Sequence, residues 1–127
     1  MKIQLHSDRP VFSLPGISHR TIVQKSDGVS QIEVWMQTLA PGSVTPIHYH
    51  ECEETVTVLR GFGEVVLEDS VVPFGPQSTI IFPPRLVHTI RSNGSEDMEV
   101  VVCLSETPGR AFTPDGIEIP LPWLAVP

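Results

Sequence analysis

Basic residues are scarce in this 127-residue chain, which has 8 lysines and arginines against 15 aspartates and glutamates and a formal net charge of −7. A protein that binds nucleic acid needs a basic surface to receive the phosphates, so this charge disfavours nucleic acid as a partner. It also disfavours binding to a membrane of anionic lipids. The composition instead fits a weakly acidic globular protein that binds small molecules.

Long apolar runs and cysteines are also scarce. The sequence near Met1 contains no apolar stretch typical of a signal peptide, and no later stretch is long enough to span a membrane. Two cysteines, Cys52 and Cys103, are too few for a disulfide framework. We therefore expect a cytoplasmic protein with two free thiols, in which Cys52 is a small buried thiol and Cys103 belongs to the core.

No segment shows a sustained helical period, whereas turn residues are frequent. The 13 prolines and 9 glycines separate short segments in which apolar residues alternate or form brief runs. Such segments are typical of β-strands, and many short strands joined by turns indicate an all-β sandwich or barrel. The predicted strands lie near residues 21–23, 32–39, 47–51, 55–60, 64–68, 79–82, 87–91 and 99–104.

The most informative residues are three histidines and a glutamate. His48, His50 and Glu54 lie close together in segment 42–61, and His88 follows much later. Residues two apart on a strand point to the same face, and Glu54 has the same parity as the two histidines. Three imidazole nitrogens and a carboxylate oxygen suit a divalent transition metal. We therefore predict one metal ion per chain, Fe, Mn, Zn, Ni or Cu, bound by His48, His50, Glu54 and His88.

The spacing of these residues resembles the two motifs of the cupin family. The first cupin motif is glycine, five residues, His-x-His, three or four residues, glutamate, six residues and glycine, and segment 42–61 matches each position. The second motif contains a proline and a histidine five residues later, here Pro83 and His88. This chain departs from the second motif in two places: Arg85 replaces the usual glycine, and Asn93 stands one residue late.

The resemblance implies an all-β double-stranded β-helix, also called a jelly roll, with little helix. It covers about residues 30–105, which we expect to form the core barrel of a single domain spanning residues 1–127. Residues 1–29 would form an N-terminal arm. The proline-rich tail, residues 106–127, would pack outside the barrel or across a partner subunit. Cupins commonly dimerise, so a homodimer is expected, with segment 11–15 and the tail as its interface.

Three further residues are candidates for contact with a substrate: Arg85, Trp35 and Gln37. A guanidinium at the barrel mouth, three residues before His88, would grip a carboxylate or phosphate. Alternatively, Arg85 is a solvated turn residue or forms an ion pair between subunits. Trp35 and Gln37 share one face of the predicted strand 32–39, and they line the pocket only if that face is the inner one. The opposite face is equally suited to burial. His6 and His19 match no motif and are expected on the surface.

The ligand set leaves the reaction open, because cupins include many kinds of enzyme as well as non-catalytic proteins. The first hypothesis is a small metalloenzyme of the oxygenase, isomerase or lyase type that acts on an oxygen-rich small molecule. Glu54 would then be a metal ligand and a catalytic proton shuttle. The alternative is a non-catalytic small-molecule-binding or sensory cupin. The sequence shows no additional acid/base pair in the pocket, which supports this alternative.

Overall fold

Nine β-strands form the framework of the computed structural model, which describes residues 1–125. The helical content of this part of the chain is three short 3-10 turns, His6–Asp8, Lys25–Asp27 and Pro122–Ala125. The prediction of an all-β chain with little helix is therefore confirmed. The strands are β1 (Phe12–Leu14), β2 (Ile17–Val23), β3 (Glu33–Leu39), β4 (Glu54–Arg60), β5 (Gly63–Val66), β6 (Val71–Phe74), β7 (Ser78–Phe82), β8 (Thr89–Ser92) and β9 (Met98–Leu104).

The strands form two antiparallel sheets. The larger has six strands in the order β1-β2-β3-β9-β4-β7, and the smaller has three in the order β6-β5-β8. Because side chains alternate between the faces of a strand, every second residue of the central strands lies in the core. On β9, Met98, Val100, Val102 and Leu104 are each 3% exposed or less. Burial of each such side chain contributes about 1.5–3 kcal/mol to folding, so these central strands hold the two sheets together.

The larger sheet extends further toward the N-terminus than the sequence suggested. Residues 12–23, which we expected in an arm with one strand near 21–23, contain β1 and β2; β1 pairs with β2, and β2 pairs with β3. The alternation on β2 is hidden because two of its buried residues, His19 and Thr21, are polar. Strand β6 was also missed, since Pro73 suggested a turn. It is an edge strand of the smaller sheet, where a proline is tolerated.

Two other expectations need correction. Cys103 was expected in the core, but it is exposed on the outer face of β9, where it alternates with Val102 and Leu104. Predicted strand 47–51 is reduced to isolated bridges that pair His48 with His88 and Tyr49 with Phe112. Cys52 is buried as expected.

The C-terminal tail lies outside the barrel only in part: residues 114–118 are exposed, whereas Trp123 enters the core. Trp123 is 5% exposed and belongs to the hydrophobic core, and Leu121 packs against that core. Trp123 and Leu121 therefore pack in the chain's own interior and not in the dimer interface that was expected for the tail. The last two residues of the tail, 126 and 127, lie outside the described residues. The homodimer itself stays a prediction. Among residues 1–125, no helix is long and apolar enough to cross a membrane.

Candidate metal centre and ligand pocket

The four predicted metal ligands come together between the two sheets. His48 and His50 lie on the segment that leads to β4, Glu54 is the first residue of β4, and His88 immediately precedes β8. The backbones of His48 and His88 exchange two hydrogen bonds, of 3.1 and 2.9 Å, which bring distant parts of the chain together. His50, Glu54 and His88 are each 4% exposed or less. The cluster is therefore built by the fold and does not arise from chance proximity on the surface.

The geometry of the cluster is compact. His48, Glu54 and His88 each offer a ligand atom, and these atoms lie within 4.8 Å of one another. The two oxygens of Glu54 face different histidines: Oε1 lies 3.2 Å from Nε2 of His88, and Oε2 lies 3.4 Å from Nε2 of His50. A carboxylate thus stands between two imidazoles, with the third beside it.

Backbone carbonyls set the tautomer of all three histidines. Nδ1 of His48, His50 and His88 lies 2.6, 2.7 and 2.8 Å from the carbonyl oxygens of Pro46, Arg110 and Leu86, respectively. A carbonyl oxygen only accepts hydrogen bonds, so each Nδ1 carries a proton and donates it. In a neutral imidazole this leaves the lone pair on Nε2 free. Metal-binding histidines in proteins are oriented by this kind of support.

The unpaired atoms of the cluster fit a bound cation. Within the described residues, Nε2 of His50, Nε2 of His88 and Oε1 of Glu54 are buried and have no hydrogen-bond partner. Electron pairs that face one another in a buried site are unfavourable unless a proton or a cation lies between them. Three nitrogens and one carboxylate oxygen are suitable ligands for a divalent transition metal. The residues present therefore fit the predicted ion.

The charges of the metal-free cluster follow from burial and from its neighbours. Burial alone would raise the pKa of Glu54, but His50 and His88 beside it lower that pKa overall, so the carboxylate is ionised. Burial and the nearby His88 and His50 lower the pKa of His48 to about 4. Burial alone would lower the pKa of His50, but Glu54 raises it above its ordinary value. Glu54 thus favours the protonated form of His50 in the metal-free cluster, and binding of a metal ion by His50 would require loss of that proton.

A pocket opens beside this cluster, and its walls are almost entirely apolar. The four candidate ligands line one part of it, while Gln37 and Thr45 are the other polar side chains of the lining. Trp35 and Gln37 both lie on the wall, so the inner face of β3 is the one that carries them. Whether they contact a ligand stays a prediction. The apolar walls include Ile17, Leu39, Ile90, Val100, Val102 and Leu121.

Arg85 is not among the residues that line the pocket, and its contact with a substrate stays a prediction. Its side chain is exposed. Its backbone adopts a left-handed conformation with φ of 68°, and its N–H donates a 2.7 Å hydrogen bond to the carbonyl oxygen of His50. The left-handed turn explains why cupins usually have glycine here. The solvated-turn alternative fits this position.

Sequence reasoning missed two residues beside the pocket. His19, expected on the surface, is 1% exposed, and its ring stacks on Trp123 with centroids 3.5 Å apart. Trp123, on the tail, lines the pocket. The equal parity of Ile17, His19 and Thr21 could have indicated that His19 is buried on β2. No pattern indicated the path of the tail. His6 is exposed, as expected.

Solved structures with the same fold confirm the cupin prediction. A cupin 2 domain-containing protein from Halorhodospira halophila is 29% identical with a TM-score of 0.68, covering 79% of this chain and 71% of that one. A polyketide cyclase from Streptomyces resistomycificus has a TM-score of 0.74 over 85% of this chain and 82% of the cyclase. At 24% identity, the second similarity concerns the fold alone.

Curated relatives share more of the sequence. Auxin-binding protein T85 of Nicotiana tabacum is 41% identical over 117 residues, which are 83% of this chain and 63% of the relative. Auxin-binding protein 1 of Arabidopsis thaliana is 37% identical over 111 residues, which are 80% of this chain and 56% of the relative. The chain therefore spans about 56–63% of the length of these relatives. The sequence model of the auxin binding protein family matches residues 4–124, a range that includes the four candidate ligands and Trp123. This chain, a cupin by its fold, therefore belongs to the auxin-binding protein family.

Proposed function

We propose that this protein binds a small aromatic carboxylic acid, whose carboxylate is held by a divalent metal ion on His48, His50, Glu54 and His88. The observation that carries this proposal is the contrast within one pocket. Its walls are apolar, and its ionisable side chains are confined to the candidate metal ligands. A complementary ligand has one anionic end and an apolar body. Apolar pockets with a few fixed polar groups are typical of small-molecule sites.

The charge of the loaded site favours a monoanion. Three neutral histidines and the Glu54 carboxylate contribute one negative charge, so a divalent ion leaves the buried centre with one positive charge. One carboxylate neutralises this charge. A phosphate or a dicarboxylate would bring further negative charge into an apolar pocket whose described lining contains no arginine or lysine, and an uncompensated charge there is costly.

The aromatic side chains of the wall favour a flat apolar body. Trp35 and Trp123 both line the pocket, and their rings pack edge to face with centroids 5.4 Å apart. Aromatic rings prefer such offset or edge-to-face partners, and each buried ring removes a large apolar area from water. The relatives are named auxin-binding proteins. Auxins are small aromatic carboxylic acids, which agrees with the ligand class inferred from the pocket.

Binding explains the pocket better than catalysis does. Among the described residues, the lining has no titratable side chain beyond the four candidate ligands. In the alternative metalloenzyme, Glu54 would have to coordinate the metal and also transfer a proton, with no second acid or base beside it. We therefore infer a binding protein. A catalytic role for Glu54 is expected only if the protein is instead a metalloenzyme.

Isothermal titration calorimetry on zinc-loaded protein tests the proposal. Indole-3-acetate should bind, whereas indole-3-acetamide, which has the same ring and no carboxylate, should bind at least about tenfold more weakly because it cannot neutralise the metal centre. The metal-free protein should show the same loss for indole-3-acetate. Equal affinity for the acid and the amide would contradict the proposal. Turnover of a carboxylate by the metal-loaded protein would instead support the alternative, in which the protein is a metalloenzyme.

A further inference from the structure

His19 contacts three residues of the pocket wall, although it does not itself line the pocket. It pairs with Gln37 across β2 and β3 in the register of the sheet. Its ring packs against both tryptophans: it stacks on Trp123 with centroids 3.5 Å apart and 9° between the planes, and it meets Trp35 edge to face at 5.1 Å. At 1% exposure, its effect on a ligand must pass through these neighbours.

Both nitrogens of the His19 ring are used in hydrogen bonds. Nδ1 lies 2.9 Å from Nε2 of Gln37, and Nε2 lies 2.7 Å from Oγ1 of Thr21. A neutral imidazole has one donor and one acceptor. With the amide nitrogen of Gln37 donating to Nδ1, Nε2–H donates to Thr21. One N–H of Gln37 is thereby occupied, and its carbonyl oxygen and second N–H remain available to the pocket.

A purely structural role does not require a histidine here. Burial of a polar ring costs free energy unless its hydrogen bonds are satisfied, whereas an aliphatic residue would fill the same space without partners. The Trp123 indole depends strongly on its neighbours, because its buried Nε1 has no hydrogen-bond partner among the described residues. The stacked imidazole is a closer aromatic neighbour of this indole than Trp35 is, with ring centroids 3.5 Å apart against 5.4 Å.

We propose that His19 is the positioning residue of this pocket: it orients the Gln37 amide and holds the Trp123 indole where a bound aromatic carboxylate contacts them. This inference rests on the proposed function for its ligand. Its structural part, that His19 holds Trp123, can be measured without any ligand. His19 thereby connects strand β2, the polar group of β3 and the C-terminal segment in one arrangement.

Two substitutions separate the two contacts of His19. His19→Phe keeps an aromatic ring against Trp123 but cannot accept a hydrogen bond from Gln37. His19→Asn keeps a polar partner for Gln37 and loses the stacking. The matched control is Met98→Ala, since Met98 is fully buried but does not line the pocket. All variants are full-length and zinc-loaded, and indole-3-acetate is the probe.

Each His19 variant should bind indole-3-acetate about three- to tenfold more weakly than the wild type, the range for one lost hydrogen bond or aromatic contact. The Met98→Ala protein should lose stability and keep its affinity. In a double-mutant cycle, His19→Phe combined with Gln37→Ala should cost no more affinity than Gln37→Ala alone, because His19 acts on the ligand through Gln37. Unchanged affinity in both His19 variants, or additive losses in the cycle, would overturn the proposal.

A ligand-free readout decides the structural part. The two tryptophans give two indole N–H signals in a ¹⁵N–¹H NMR spectrum. In His19→Asn the Trp123 signal should exchange faster with solvent, while the Trp35 signal, whose Nε1 donates a 2.7 Å hydrogen bond to Glu33, should change less. If the wild type binds no aromatic carboxylate, the proposed function is wrong, and this exchange still decides whether His19 holds Trp123. Equal exchange in the variant and the wild type would overturn that role.

Discussion

Nε2 of His88 lies 3.2 Å from Oε1 of Glu54, and neither atom has a hydrogen-bond partner among the described residues. Glu54 begins β4 of the larger sheet, and His88 immediately precedes β8 of the smaller sheet. A divalent cation coordinated by both would therefore connect the sheets, in addition to forming the end of the ligand pocket. Metal binding and fold stability are expected to be coupled for this reason.

Metal binding should stabilise the folded protein and should depend on His48. We expect one divalent ion per chain by elemental analysis, and a lower Tm after removal of the ion by a chelator. Free metal at a hundred times its Kd adds about 2.7 kcal/mol to the free energy of unfolding. His48→Ala should bind less than one ion and lose the chelator effect. His6→Ala is the control, because His6 is exposed and remote from the motif; equal metal loss in both variants would contradict the assigned site.

Arg85→Gly should stabilise the protein without changing ligand affinity. A non-glycine residue at φ of 68° is strained by roughly 1 kcal/mol or more, and the greater freedom of glycine in the unfolded chain cancels part of the gain. We therefore expect an increase of up to about 1 kcal/mol in the free energy of unfolding, measured by urea denaturation. Affinity for indole-3-acetate should stay within about twofold, less than one hydrogen bond contributes. A loss of affinity of about tenfold or more would indicate that Arg85 contacts the ligand.

The residues that were predictable from the sequence differ physically from those that were not. His48, His50 and Glu54 lie within seven residues of one another, so local spacing and strand parity were enough to group them. The burial of His19 instead depends on Gln37, its partner on the neighbouring strand. The equal parity of Ile17, His19 and Thr21 is a weak local signal of this burial, since a polar residue in a strand is more often exposed.

The direction of a single turn and the path of a tail were equally unpredictable. Arg85 and His88 are three residues apart, yet the left-handed turn at Arg85 leaves its side chain in solvent while His88 is buried. Trp123, on the tail, lines the pocket, and the proline-rich sequence of the tail has no periodicity that would indicate a partner. The sequence therefore predicted the clustering of the histidines with Glu54 better than the wall of the pocket.

Gly42 and Gly61, the first and last residues of the first cupin motif, should tolerate substitution very differently. An alanine at Gly61 would place its Cβ 2.6 Å from Cα of Met98, in a backbone conformation with φ of 93°. An alanine at Gly42 would meet nothing within 4 Å, although φ is 81° there as well. Gly42→Ala should cost about 1–2 kcal/mol, from backbone strain alone. Gly61→Ala should cost at least about 2 kcal/mol more, because backbone must move. Equal losses in urea denaturation would contradict the close approach of Gly61 to β9.

The stability of the protein should fall in mild acid, partly because of His19. Burial lowers the pKa of His19 from 6.5 to about 3 in the folded protein, whereas in the unfolded chain it stays near 6.5. Between these values the unfolded chain binds a proton that the folded chain does not, so the contribution is complete above pH 6.5 and is lost as the pH falls toward 3.

At pH 5, about 1.5 pH units below the unfolded pKa, this loss amounts to about 2 kcal/mol. Urea denaturation of metal-free protein at pH 7.5 and pH 5 measures it, with His19→Phe as the comparison. The variant has no ionisable ring at this position, but it keeps every other titrating group, including the cluster around Glu54. Its loss of stability between the two pH values should therefore be smaller than that of the wild type by about 2 kcal/mol. An identical pH dependence in the two proteins would mean that the pKa of His19 is not lowered in the folded protein, and it would contradict this prediction.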